Sequence, residues 1–203
     1  MYAVKNKTNR LIEIDPRFKA LQQNFGYPSY KKETQYFKSL VRTIIYQQLS
    51  GKAAKKIHAR FLSIYNTTSH PSPYQIKSTE AGVLQQAGLS KQKINYIYNL
   101  CEYGLEHNIE NIDRLSNDEI SNELTQIKGV GQWTVDMFLM FTLSREDVFP
   151  LGDLGLKKGL KKFEKLKKLP SEKEVESLSK KWSPFRSLAA WYMWIIIEGP
   201  FEW

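Results

Sequence analysis

The chain has a single cysteine, Cys101, so it can form no internal disulfide and cannot supply the four thiolates of an iron–sulfur cluster or a cysteine-rich zinc site. That usage fits a reducing compartment. Histidine is almost as scarce. His58, His70 and His107 lie far apart, leave no short-spaced pair of metal ligands, and read as surface residues, so no metal is expected. Long hydrophobic runs are missing as well. Trp133 to Leu143, broken by Thr134, Asp136 and Thr142, and Leu188 to Ile197 both fall short of the roughly 20 residues of a membrane span. They read as core helices. Met1 to Leu11 is polar and basic and lacks the apolar stretch of a secretory signal. Period-two alternation and two-residue hairpin turns are nearly absent, which argues against sheet.

What the chain does have is positive charge. Thirty Lys and Arg stand against twenty-one Asp and Glu over 203 residues, an excess of +9 that favours polyanionic partners such as nucleic acid or anionic lipid. Seven lysines between Lys157 and Lys168 face one glutamate, Glu164, so two thirds of the excess sits in twelve residues. Leu160, Phe163 and Leu166 give that segment an apolar side, as a solvated helix face would have, but the concentration of charge favours a general phosphate-attracting field over any named contact.

Apolar residues return at intervals of three and four, and the punctuation between them is made of helix caps. Asp15-Pro16 reads as the start of a first helix bearing Phe18, Leu21 and Phe25. A second helix is expected over Glu33 to Gln48. A third, capped by Ser50, ends near Asn66, and Pro71 and Pro73 mark the loop after it. A short helix follows near Thr79 to Gln86, and Ser90 opens another. Ser116-Asn117-Asp118-Glu119 and Ser171-Glu172-Lys173-Glu174 are capping boxes, and the last helix starts at Pro184. The fold expected is all-α, two interlocked helical lobes around a cleft within one unit spanning 1–203, since no repeat or flexible linker divides the chain.

The most informative stretch is Leu124-Thr-Gln-Ile-Lys-Gly-Val-Gly-Gln-Trp-Thr-Val135: a helix end, a tight turn with Gly129 and Gly131, and the start of an apolar helix. Glycines one residue apart permit left-handed dihedrals and close approach of a ligand to the backbone. Amides at the following helix start would face an anion. An ordinary αα-turn with a glycine cap explains the stretch equally well. A dinucleotide-binding turn does not, because no strand precedes it and no third glycine follows.

Leu124 to Thr134 resembles the hairpin of the helix-hairpin-helix (HhH-GPD) DNA glycosylase superfamily. Ile44-Ile-Tyr-Gln-Gln-Leu-Ser-Gly-Lys-Ala-Ala54, Ala87 to Lys93, Asp147-Val-Phe-Pro-Leu-Gly-Asp-Leu-Gly155 and Trp182 to Trp194 agree in order, and together they are most similar to the DNA-3-methyladenine glycosylase II group. The resemblance implies a monofunctional glycosylase that flips alkylated purines, such as 3-methyladenine or 7-methylguanine, out of double-stranded DNA and hydrolyses the base–sugar bond in base excision repair. Asp153 is then the catalytic carboxylate, a role compatible with its capping the next helix. Trp133 and Trp194, with Tyr46 and Trp191 as lesser candidates, would line the base pocket. The competing assignment for each is core packing.

Gln48 matches the residue that fills the gap in the duplex, and Lys128, Gly129, Val130, Gly131 and Thr134 would hold the DNA backbone. The resemblance implies no cofactor beyond a monovalent cation on the hairpin carbonyls, no separate N-terminal β-domain, no membrane partner and a monomer, cytoplasmic with the nucleoid or nuclear in a eukaryote. Trp133 stands where strand-nicking members carry a lysine nucleophile, so no Schiff base is expected. Asp136 and Ile195 depart from residues common at their positions. Two rivals stay open: the same fold acting on deaminated or oxidised bases, and a non-catalytic binder of damaged or bent DNA.

Overall fold

A computed structural model describes residues 2–28, 33–65, 70–107 and 109–199. Among these residues there are helices and turns and no strand. In chain order the α-helices are α1 (Tyr2–Ile14), α2 (Phe18–Phe25), α3 (Tyr36–Tyr46), α4 (Gly51–Ser63), α5 (Pro73–Lys77) and α6 (Ala81–Gln86). They continue with α7 (Lys91–Glu106), α8 (Asn117–Leu124), α9 (Gln132–Met137), α10 (Leu154–Phe163), α11 (Glu172–Ser179) and α12 (Arg186–Glu198). A 3-10 turn covers Ile109–Arg114, another covers Lys180–Trp182, and α9 runs on into a π turn over Phe138–Thr142. No described helix is long and apolar enough to cross a membrane.

Two compact units divide the chain: residues 1–32 with 139–203, and residues 33–138. In the first, α1, α2 and α10 pack on α12, whose residues from Ser187 to Ile195 are all buried. Gly159 makes the α10–α12 contact possible, because a Cβ there would lie 2.0 Å from the Met193 carbonyl oxygen. Trp182 is fully buried, meets Phe18 edge-on with ring centroids 5.4 Å apart, and donates its indole N–H to Asp15 Oδ2 at 3.1 Å. In the second unit α3 is the hub, packed against α4, α7 and α9, while α5 and α6 lie on α7 and α8 lies on α9.

The predicted caps recur as side-chain hydrogen bonds: Ser50 to Ala53, Ser90 to Lys93, Ser116 to Glu119 and Ser171 to Glu174. Several boundaries differ from expectation. Helix α1 was not anticipated, since in the polar segment it occupies Leu11 is, among the side chains described, the apolar one that becomes fully buried. Asp15-Pro16 forms a turn ahead of α2, because the Asp15 carboxylate is occupied by Arg17 and Trp182. Pro73 begins α5 behind a Ser72–Gln75 capping box, where a loop was expected. The last helix starts two residues after Pro184, and the expected end of α4 near Asn66 falls outside the described residues.

His58 and His70 also depart from the surface placement expected of them. Their rings sit 6.5 Å apart among Phe37, Tyr46 and Phe61, with both Nε2 atoms buried and unbonded. Burial, and Arg42 nearby for His58, pushes both down to about 4.

Candidate DNA-repair site: a braced hairpin and a capping carboxylate

The turn between α8 and α9 is closed by Val130 N–H donating to the Ile127 carbonyl at 2.9 Å and Thr134 N–H to the Gly131 carbonyl at 2.9 Å. Leu124, Ile127 and Val130 are buried beneath it. Gly129 is required twice: its φ of +106° is left-handed, and a Cβ would fall 2.1 Å from the Tyr96 ring. Of the two glycines, Gly129 alone takes the left-handed dihedral that the pair permits. Gly131 is extended (φ −99°) and a Cβ there would meet open space, so what glycine provides is room for an incoming group. Lys128 is exposed, and its carbonyl accepts from Asn99 Nδ2 at 2.9 Å beside a shallow polar depression formed with Gln92, Asn95 and Tyr96.

Sequence reasoning missed the residue that braces this turn. Gln47 Nε2 donates to the Gly129 carbonyl at 3.0 Å and to the Thr134 hydroxyl at 2.9 Å. Thr134 is itself 1% exposed, so its hydroxyl serves this brace. Lys93, also missed, donates from Nζ to the Ile45 and Gln47 carbonyls at 2.6 and 2.7 Å and so holds the end of α3. Its half-buried ammonium is lowered by desolvation. Gln48 follows on the exposed loop in a left-handed conformation (φ +56°) next to the exposed Leu49.

Within the hairpin, Ser121 donates to Gln132 at 2.7 Å and Gln132 to Asp136 at 2.9 Å, tying α8 to α9. Burial raises Asp136 to about 6, only partly opposed by that hydrogen bond. Trp133 is half-buried in the first turn of α9, and Tyr46 is buried with the Arg42 guanidinium 4.9 Å from its ring centre.

In the other unit Asp153 caps α10. Its Oδ1 accepts the Leu156 amide at 2.6 Å and the Trp194 indole N–H at 2.8 Å. Both donors converge on that one oxygen, and the carboxylate stands at the start of the helix. Trp194 and Trp191 are each 7% exposed; Trp194 leans on Phe141 at 5.8 Å and Trp191 meets Tyr192 edge-on at 5.0 Å. Glu198, one turn beyond Trp194, is raised by burial and then by the negative charge of Asp153. Leu154 beside the cap is exposed.

Residues 41–185, which include both the glycine turn and the capping carboxylate, match the HhH-GPD superfamily of base excision DNA repair proteins. The chain belongs to that superfamily. This HhH-GPD protein is 40% identical over 167 residues to DNA-3-methyladenine glycosylase 1 of Schizosaccharomyces pombe, covering 81% of this chain and 72% of that one. It is 33% identical over 198 residues to the alkylbase DNA glycosidase-like protein mag2 of the same yeast, 95% and 93% covered. Among solved structures, the Schizosaccharomyces pombe 3-methyladenine DNA glycosylase in complex with abasic DNA superposes with a TM-score of 0.86 at 34% identity, over 97% of this chain and all of that one.

Proposed function

We propose that this HhH-GPD protein is a monofunctional DNA glycosylase that releases alkylated purines such as 3-methyladenine and 7-methylguanine and leaves an abasic site. The observation that carries this reading is the Asp153 carboxylate, held at a helix start by two N–H donors. Similarity along nearly the whole chain to a 3-methyladenine glycosylase supports it.

Methylation at N3 or N7 puts positive charge on the purine, so the base leaves with the bonding electron pair and needs no added proton. The sugar is left as an oxocarbenium ion, which an ionised Asp153 stabilises electrostatically while water adds to the anomeric carbon and its proton passes to solvent. Aromatic faces favour the cationic base, and this is the role proposed for Trp133 and Trp194, with Tyr46 and Trp191 as lesser candidates. The amides around Gly129, Val130 and Gly131, with Lys128, hold the phosphates of the strand, and Gln48 fills the vacated place in the duplex. With Trp133 in place of a lysine nucleophile, base release is not followed by strand cleavage. No step runs through a cation at the hairpin.

The test is chromatography of bases freed from methylated DNA by wild type and by Asp153→Asn. Wild type should release 3-methyladenine or 7-methylguanine and leave strands intact until alkali treatment, and the variant should be slower by roughly a thousandfold. Release by the variant at the wild-type rate would remove Asp153 from its role. Stable binding of damaged duplex with no base released by wild type would favour a non-catalytic binder.

A further inference from the structure

We propose that Trp194 is a positioning residue for the Asp153 carboxylate, its indole N–H fixing the orientation in which that group meets the nucleotide. The inference rests on the glycosylase reading and concerns the edge of the indole, a different part of the ring from the face that would stack on a base.

An N-cap hydrogen bond alone fixes one oxygen to its own helix, and the carboxylate can still turn about its side-chain bonds. Here a second donor arrives from another helix. Trp194 Nε1 lies 2.8 Å from Oδ1, the same oxygen that accepts the Leu156 amide at 2.6 Å. The indole is a rigid plane with two side-chain torsions, and it is anchored: 7% exposed and packed on Phe141. Two donors of fixed direction meeting on one oxygen define the plane of the carboxylate, and such preorganisation is what electrostatic stabilisation of a developing cation requires.

The backbone is shaped for this contact. Gly155 and Gly159, one turn apart on α10, make the surface that α12 crosses. At Gly159 a Cβ would collide with the Met193 carbonyl, and at Gly155 it would sit 3.2 Å from both Asp153 Oδ1 and Trp194 Cδ1. The first glycine lets the helices approach; the second keeps the space between indole edge and carboxylate clear.

Trp194→Phe keeps the aromatic face and removes the donor. Single-turnover release of 7-methylguanine should slow by roughly tenfold to a hundredfold, while affinity for duplex carrying an abasic-site analogue stays within about twofold. Gly155→Ala, which crowds the contact without removing a polar group, should slow release several-fold and leave thermal stability intact, and it carries the test if the Phe variant does not fold. In spectra of protein labelled with 15N-tryptophan, the indole resonance missing from Trp194→Phe should move on Asp153→Asn. Wild-type rates in both variants, or rate and affinity falling together, would overturn the proposal. If wild type frees no base yet that resonance still moves, the contact stands and the glycosylase reading fails instead.

Discussion

The hairpin and the Asp153 cap use opposite parts of the chain. At the hairpin the bracing side chains turn inward. Gln47 and Asn99 donate to the turn's carbonyls and Thr134 accepts from Gln47, so, apart from the exposed Lys128, what the turn offers is mainly backbone. At Asp153 the functional atom belongs to a side chain, and a backbone amide and an indole are spent on holding it. The first is a shape that several weak contacts maintain; the second is one group that no neighbour can replace. Damage to the hairpin should therefore appear as lost stability and weaker DNA binding with the rate at saturation preserved, whereas damage at the cap should cost rate at unchanged affinity.

The sharpest way to break that contrast is Gly129→Ala. The new methyl would overlap the Tyr96 ring and stand at a φ that L-residues rarely adopt, so two penalties act on one residue. Urea unfolding should show a loss of about 2–4 kcal/mol, and affinity for damaged duplex should fall at least tenfold. Adding Tyr96→Ala removes the clash but not the dihedral strain, so the double variant should recover part of the loss. A normal affinity in Gly129→Ala would show that the turn's backbone geometry is not what the DNA reads.

Acid should separate the two units. His58 and His70, held at about 4 by burial, refuse protons that the unfolded chain takes up near 6.5. Their contribution is complete above about pH 6.5 and drains away as the pH falls towards 4. Asp136, raised to about 6, works in the other direction: its contribution is full below the ordinary carboxylate value of 3.8 and is lost as the pH rises through 6, so it offsets part of the histidine loss. In the other unit burial alone would raise Asp15, but hydrogen bonds from Arg17 and Trp182 outweigh it and hold the group at about 2. Its contribution therefore persists until the pH drops from 3.8 towards 2. Between pH 7 and 4.5 the protein should lose on the order of 2 kcal/mol, with pepsin at pH 4.5 cutting first within 33–138. Replacing both histidines by phenylalanine should flatten the dependence, and first cuts within 139–199 would contradict it.

Local chemistry was legible in the sequence and long-range chemistry was not. The Ser50, Ser90, Ser116, Ser171 and Asp153 caps could be read because donor and acceptor lie three residues apart. The glycine turn was recognisable for the same reason. Helix α1 escaped because its burial depends on partners far along the chain, and the π turn at Phe138–Thr142 because a continuous apolar run has no period to betray it. At the site, the Trp194–Asp153 bond spans 41 residues and the Gln47–Gly129 bond 82, and no spacing rule announces either. Adjacent glutamines at 47 and 48 carry the same side chain, yet one is turned inward to the hairpin and the other stands exposed on the loop.

Gln47→Ala sharpens the comparison most finely, since it alters no residue of the turn itself and no outward-facing group. It removes two hydrogen bonds and leaves the Gly129 carbonyl and a buried Thr134 hydroxyl short of a donor, a loss of about 1–2 kcal/mol. Because the brace acts on the turn alone, the penalty should fall on the ordering of the hairpin. KM for methylated duplex should rise several-fold while the rate at saturation stays within about twofold of wild type. Gln47→Glu keeps the shape but presents acceptors to two acceptors, the carbonyl and the hydroxyl oxygen, and the hydroxyl can respond only by turning its proton towards the new carboxylate. It should therefore bind DNA no better than Gln47→Ala. A fall in the saturating rate with KM unchanged would place this glutamine with the carboxylate chemistry and dissolve the distinction between the two regions.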